Sequence, residues 1–503
     1  MQYVSTRGGF GPVSAAEAIK RGIAPDGGLF VPNKPVTIPA EDIIAMTGMT
    51  YHQRAAYLLE HFLTDFSSDE IRECVDKAYS PNSFDTPEIA PVKKLNESTF
   101  ILELWHGPTC AFKDMALQIL PHLLRKATDK TGEQDGILIL VATSGDTGKA
   151  ALEGFKDVPG TKIIVFYPDQ GVSEVQKRQM ATQEGNNVAV FAVRGNFDDA
   201  QTGVKAIFTD PEINSRLQQY HYKFSSANSI NWGRLVPQIV YYFSAYAGLL
   251  ARGEIVFGDK INFVVPTGNF GNILAAYYAR KMGLPVQRLI CAANANNVLT
   301  DFIRTGTYDK NRPFHKTLSP SMDILVSSNL ERLLYEITGH DTDRIRQWME
   351  ALKSKGRYEV DQAAKSEIQS IFWSDWAGDE DTLAMIKQTY QEYRYVLDTH
   401  TAVGKAVYNR YRRETGDTAK TVIASTASPF KFNLSVARAL LGEQNIKGHS
   451  EFALLEKLSE YTGWPVPQGL KDLDKKPVRH NKVVAREEMA QAVLEAVRQT
   501  VNS

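Results

Sequence analysis

Six short runs rich in valine, isoleucine and leucine recur at 136–143, 162–167, 188–193, 261–266, 286–292 and 421–425, with helical periodicity at 149–155, 172–182, 198–208, 235–251 and 273–282 between them. A run that is apolar throughout offers no polar face to water. Such runs belong to parallel sheets covered by helices on both faces. The fold class is therefore α/β. Ligands in these folds sit past the carboxyl ends of the strands, where strand turns into helix.

Outside this alternation, residues 1–85 read as a separate opening module. It carries a Gly/Pro-rich turn at 25–32, helical stretches at 51–66 and 68–79, and a boundary at 80–84. Residues 309–395 are mostly polar and helical, an insertion or flank rather than catalytic machinery. The net charge is −1 and no long basic run is present, which argues against nucleic acid or a membrane surface as partner. Any pull on an anionic substrate must then come from a few groups in a pocket. The three cysteines, Cys74, Cys110 and Cys291, stand far apart without metal or disulfide spacing. This suits a reducing cytoplasm and predicts no metal site. No signal-peptide core opens the chain, and no window approaches the ~20 apolar residues of a membrane span.

Several segments carry chemistry. In His106-Gly-Pro-Thr-Cys-Ala-Phe-Lys-Asp-Met-Ala-Leu-Gln118, Lys113 stands where a turn becomes a helix predicted over 115–124. The positive end of that helix and the apolar neighbours disfavour its protonated form, and a neutral amine attacks aldehydes. An ordinary first-turn lysine is the bland alternative. Cys110 is a small space-filler beside it. The loop Thr143-Ser144-Gly145-Asp146-Thr147-Gly148 follows a strand and offers hydroxyl and amide donors, either as an anion site or as a capped helix start. The turn Gly268-Asn269-Phe270-Gly271-Asn272 lies between the run 261–266 and the next helix, suited to cradling a phosphate. It lacks the Gly-Lys-Ser/Thr of a P-loop and the spacing of the dinucleotide fingerprint. Asn228, Ser229 and Arg234 gather amide, hydroxyl and guanidinium donors for a second phosphate or a carboxylate. Thr426 ends another strand. Together these are the parts needed to hold pyridoxal 5′-phosphate.

On the segments HGPTCAFKDMALQ, ATSGDTG, PTGNFGN, HTAVG and STASPFKF, in that order, the chain resembles threonine synthases of the longer bacterial and fungal type. The resemblance implies the tryptophan-synthase-β-like arrangement (fold type II): two parallel-sheet domains plus a small N-terminal α+β domain. The large cofactor-binding domain would comprise 86–125 and 235–503, and 126–234 the smaller domain that closes over the substrate. It implies a Schiff base on Lys113, the cofactor phosphate on Gly268, Asn269, Phe270, Gly271 and Asn272, and Thr426 on the pyridine nitrogen. Thr143, Ser144, Gly145, Asp146 and Thr147 would hold the substrate α-carboxylate, and Asn228, Ser229 and Arg234 its phosphate. Asp146 stands where many relatives of this fold have asparagine. His106, His400 and Asp114 would be supporting groups. The implied reaction converts O-phospho-L-homoserine and water to L-threonine and phosphate, in a cytoplasmic monomer or homodimer. Two alternatives are a threonine-synthase-like phospho-lyase that releases 2-oxobutyrate, and a non-catalytic binding protein on the same scaffold.

Overall fold

Two parallel sheets organise the chain. A computed structural model describes residues 1–143, 145–170 and 172–501, and only the backbone of Asp198, Gln499, Thr500 and Val501. The larger sheet runs Phe372–Trp376, Val286–Ala293, Ile261–Pro266, Thr421–Ser425, Thr99–Glu103 and Val92–Lys94, parallel except for the last strand. The smaller runs Val483–Val484, Val188–Val193, Thr161–Pro168, Gly136–Ala142 and Tyr222–Ser225, all parallel. The α/β class expected from the apolar runs is the one observed.

Burial follows the two-residue period of a strand. Ile101, Val264, Ile290 and Ile423 pack on one face of the larger sheet, against the helices Thr399–Thr415 and Glu451–Thr462. Phe100, Leu102, Phe263, Val265 and Val422 pack on the other, in a core continuous with the N-terminal module. That module adds an antiparallel pair, Tyr3–Ser5 with Phe30–Pro32, and the helices Tyr51–Glu60 and Ser68–Ala78, each opened by a capping box.

Three expectations need correction. The region 309–395, expected as an insertion or flank, is mostly helical but also supplies Phe372–Trp376, the edge strand of the larger sheet. The segment after 482 does not belong with the larger domain. Val483–Val484 pairs with Val188–Val193, and Met489, Val493 and Val497 cover Leu138, Leu140, Ile164 and Phe166 of the smaller sheet. A two-residue strand carries no periodicity to read. Lastly, the helix expected over 115–124 is two helices, Asp114–Leu117 and Leu120–Lys130. Pro121 has no N–H to give the carbonyl of Leu117, so the ladder breaks there. Gly154 of the smaller domain uses the gap: a Cβ at that position would stand 1.9 Å from the Leu117 oxygen. No helix among the described residues is long and apolar enough to cross a membrane.

Candidate active site

Lys113 is the N-cap of the short helix Asp114–Leu117, on a segment locked to the carboxyl end of Thr421–Ser425. Phe112 N–H donates to the Thr426 carbonyl (2.8 Å), and Ser428 N–H to the Cys110 carbonyl (3.0 Å). Asp114 points back into its own turn, accepting from Thr109 N–H (2.8 Å) and the Thr109 hydroxyl (2.7 Å). Burial pushes the Asp114 carboxyl up to about 6. Cys110 is buried, and its thiol is pushed up to about 12 by that burial. It is inert filler, as expected.

The Lys113 side chain is largely enclosed, 12% exposed. Burial is the largest influence and lowers its pKa; the cations Lys431 and Arg234 lower it further, while Asp146 opposes them. Nζ donates to Ser321 Oγ (3.1 Å), and Ser321 Oγ donates in turn to Asp146 Oδ2 (2.8 Å). Asp146 Oδ2 also lies 3.5 Å from the amine. The other carboxylate oxygen, Oδ1, lies 3.2 Å from Lys431 Nζ and accepts from Gln176 Nε2 (2.8 Å). Burial alone would raise the Asp146 pKa, but the cations Lys431 and Lys113 and the Ser321 hydroxyl hold it well below the usual carboxylate range. Lys431 is fully buried and donates to the Thr109 carbonyl (2.7 Å). His400 accepts from Ser321 N–H at Nε2 (3.2 Å) and faces Asp398 with Nδ1 (2.9 Å), which assigns its proton to Nδ1.

The turn at 268–272 begins the helix Gly271–Lys281 with Phe270 in the left-handed region at φ 65°. Gly268 is sterically required, because a Cβ there would stand 2.5 Å from the Ser321 carbonyl oxygen. The first-turn N–H groups have no partner within the helix. Asn272 adds a donor: Tyr241 and Tyr242 hydroxyls both donate to its Oδ1 (2.5 and 2.6 Å), leaving a buried Nδ2 without a partner. Arg234 is buried, with one bond to the Ala227 carbonyl (2.8 Å) and an unpartnered Nε. Burial lowers its pKa to about 10, so it stays charged. Asn329 Nδ2 bridges Ser229 Oγ (3.2 Å) and the Asn269 carbonyl (3.0 Å), so Ser229 stands against the turn. Orphaned donors, a helix N-terminus and an uncompensated guanidinium fit a phosphate-bearing ligand. Thr426 is buried beside the Lys113 segment, and no described residue takes its hydroxyl.

Other expected residues fare differently. Thr143 Oγ1 accepts from Gly145 N–H (3.0 Å) and Gly148 N–H (2.9 Å), holding the loop that starts the helix Asp146–Phe155. Ser144 lies outside the described residues. The Asp146 side chain is itself a buried anion held by Lys431, Gln176 and the Ser321 hydroxyl, which leaves its backbone as the part suited to an anion. Asn228 is exposed at the loop edge, while Thr147 is half-buried. His106 pairs with Asp85 (2.5 Å) and Glu103 (2.9 Å) at the rim. Sequence reasoning missed Ser321, Asn329 and Lys431. Only Lys431 stood in a segment already singled out. A cleft of about 450 Å³ lined by Tyr277, Arg280, Lys281, Glu336 and Arg344 shares no residue with this cluster.

Three family descriptions match the chain: "Threonine synthase N terminus" over residues 2–79, "Pyridoxal-phosphate dependent enzyme" over 85–371 and "Threonine synthase, C-terminal" over 401–500. Threonine synthase-like 1 of Homo sapiens is 42% identical over 88% of this chain, and the chain spans 60% of the length of that relative. The threonine synthase of Pseudomonas aeruginosa is 39% identical over 88% of this chain and 91% of its own. The crystal structure of PLP-bound threonine synthase from Brucella melitensis superposes with a TM-score of 0.87, at 36% identity, covering 100% of both chains.

Proposed function

The chain belongs to the threonine synthase family of pyridoxal-phosphate-dependent enzymes, and we propose that it converts O-phospho-L-homoserine and water to L-threonine and phosphate. The carrying observation is one cluster that joins a largely enclosed lysine of lowered pKa, a phosphate-type helix start and a buried arginine whose Nε has no partner. A cofactor phosphate and a substrate phosphate need two such anion subsites.

Pyridoxal 5′-phosphate, when bound, supplies an aldehyde for a lysine and a ring that withdraws electrons from the substrate α-carbon. Lys113 is the residue that would hold that aldehyde, and its amine would be the group that carries the substrate α-proton. Gly268, Asn269, Phe270, Gly271 and Asn272 bind the cofactor phosphate, and Thr426 meets the pyridine nitrogen through a neutral hydroxyl. Backbone N–H groups of Asp146 and Thr147, with the loop's hydroxyls, orient the substrate α-carboxylate. Arg234 and Ser229, with Asn228 at the mouth, receive the substrate phosphate. Asp146 balances the charge of Lys431 and orders the Lys113 amine through Ser321. We place the enzyme in the cytoplasm, as a monomer or homodimer acting on a small molecule.

A product assay with O-phospho-L-homoserine tests this, with threonine and phosphate expected in equal amounts. Release of 2-oxobutyrate with no threonine rejects the reading in favour of the phospho-lyase. Lys113→Ala is expected to lower turnover at least about 10³-fold.

A further inference from the structure

Arg332 has no place in the mechanism above, yet it is among the most completely buried side chains of the molecule. It sits in the helix Leu330–Ile337, within the region expected to be a mere insertion. Its guanidinium spends donors on three separate segments: Nε on the Phe30 carbonyl (2.9 Å), one terminal nitrogen on Asn329 Oδ1 (2.5 Å) and the other on the Ile230 carbonyl (2.6 Å). None of these acceptors is a carboxylate. Burying a cation on neutral acceptors costs desolvation and is a poor route to stability alone. What the arrangement does fix is geometry.

Asn329 is the relay. With its Oδ1 taken by Arg332, its Nδ2 must face the other way, toward the Asn269 carbonyl and Ser229 Oγ. Asn329 N–H reaches the same Asn269 carbonyl (3.2 Å), and Ser327 Oγ donates to the Gly268 carbonyl (2.7 Å). Both carbonyls of the turn are thus pulled toward 327–332. In a trans peptide the C=O and the following N–H point in opposite directions. Holding these two carbonyls therefore turns the N–H groups of Asn269 and Phe270 to the opposite face of the turn, free to meet an anion.

We propose that Arg332, acting through Asn329, is a positioning residue that ties the N-terminal module to the phosphate-binding turn, so that the strand Phe30–Pro32 and a bound phosphate stabilise each other. The proposal rests on the reading that 268–272 holds the cofactor phosphate. Arg332→Lys keeps a cation but loses the three-way fork. Asn329→Ala removes the relay and leaves the Phe30 contact in place.

The test titrates cofactor-free full-length protein with pyridoxal 5′-phosphate and with pyridoxal, which lacks the phosphate. Wild type is expected to prefer the phosphorylated form, and both variants to lose at least tenfold of that preference while binding pyridoxal within about threefold of wild type. By reciprocity of coupling, pyridoxal 5′-phosphate should slow amide hydrogen exchange at residues 28–33 in wild type but not in Asn329→Ala. This second measurement stands even if Arg332→Lys fails to fold. Variants that keep the full preference, or lose affinity for both ligands equally, overturn the proposal. Wild type without any preference overturns instead the reading of the turn on which the proposal rests.

Discussion

The two walls of the cleft are held in different ways. The larger-domain wall, from Ile261–Pro266 through the turn into Gly271–Lys281, is fixed by neutral bonds to backbone: Ser327 on the Gly268 carbonyl, Asn329 on the Asn269 carbonyl, and Ser321 packed against Gly268. The smaller-domain wall adds charge and helix ends to the apolar packing it shares with its partner. Asp146 meets Lys431 and Ser321 across the cleft. The Glu451 carboxylate accepts from Glu174 N–H (3.2 Å) and Val175 N–H (3.1 Å), while Glu174 Oε2 accepts from Glu451 N–H (3.3 Å). These are two helix starts capping each other. The difference is one of chemistry: one wall is set by bonds to its backbone carbonyls, the other brings a carboxylate to Lys431 and, through Ser321, orders the Lys113 amine.

The largest effect expected from this contrast is in Asp146→Ala. It leaves Lys431 buried without its counter-charge, which costs about 3–5 kcal/mol, read as a lowered midpoint of thermal or denaturant unfolding. An unchanged midpoint would show that packing, not charge, docks the smaller wall, and the contrast would collapse.

A second effect concerns charge on the larger-domain side, where it lies at the rim. Burial works against the His106 cation, but Asp85 and Glu103 outweigh it and raise its pKa to about 9. A raised folded-state pKa contributes stability that is complete below the unfolded value near 6.5 and is lost as pH rises through 9. Wild type should lose about 2–3 kcal/mol across that window, and His106→Asn should follow a flatter curve. Parallel stability curves for the two proteins would remove His106 from the account.

The smallest effect probes the packed turn. Gly268→Ala must push back the Ser321 carbonyl, costing about 1–2 kcal/mol, together with weaker binding of pyridoxal 5′-phosphate. Unaltered cofactor affinity would mean that the turn yields to the added methyl.

Much of this was legible in the sequence wherever the signal is local. The apolar runs fixed the sheets, and Lys113, Asp146 and Gly268–Asn272 sit in short motifs beside strand ends. Asp146 was legible in place but not in role, because its partner Lys431 lies 285 positions further on, the difference between the two residue numbers. Ser321, Asn329 and Arg332 were not legible. Each is a single polar residue in a stretch without a strand–helix rhythm, brought to the cleft only by tertiary packing. The break at Leu117 hid for a related reason: proline is common in the first turn of a helix, and only the approach of Gly154 shows that Pro121 starts a new one.

One detail of the smaller sheet governs how the protein can be made. Its edge is completed by Val483–Val484, and one face is covered by the helix Met489–Val501. Until residues 483–501 are synthesised, Leu138, Leu140, Ile164 and Phe166 of the nascent chain have only the helices Phe197–Thr209 and Pro211–Gln219 as cover on that face. The smaller sheet is therefore completed only by residues 483–501 although most of its strands are synthesised early, and in the interval part of its apolar face stays exposed, the kind of surface on which incomplete chains aggregate.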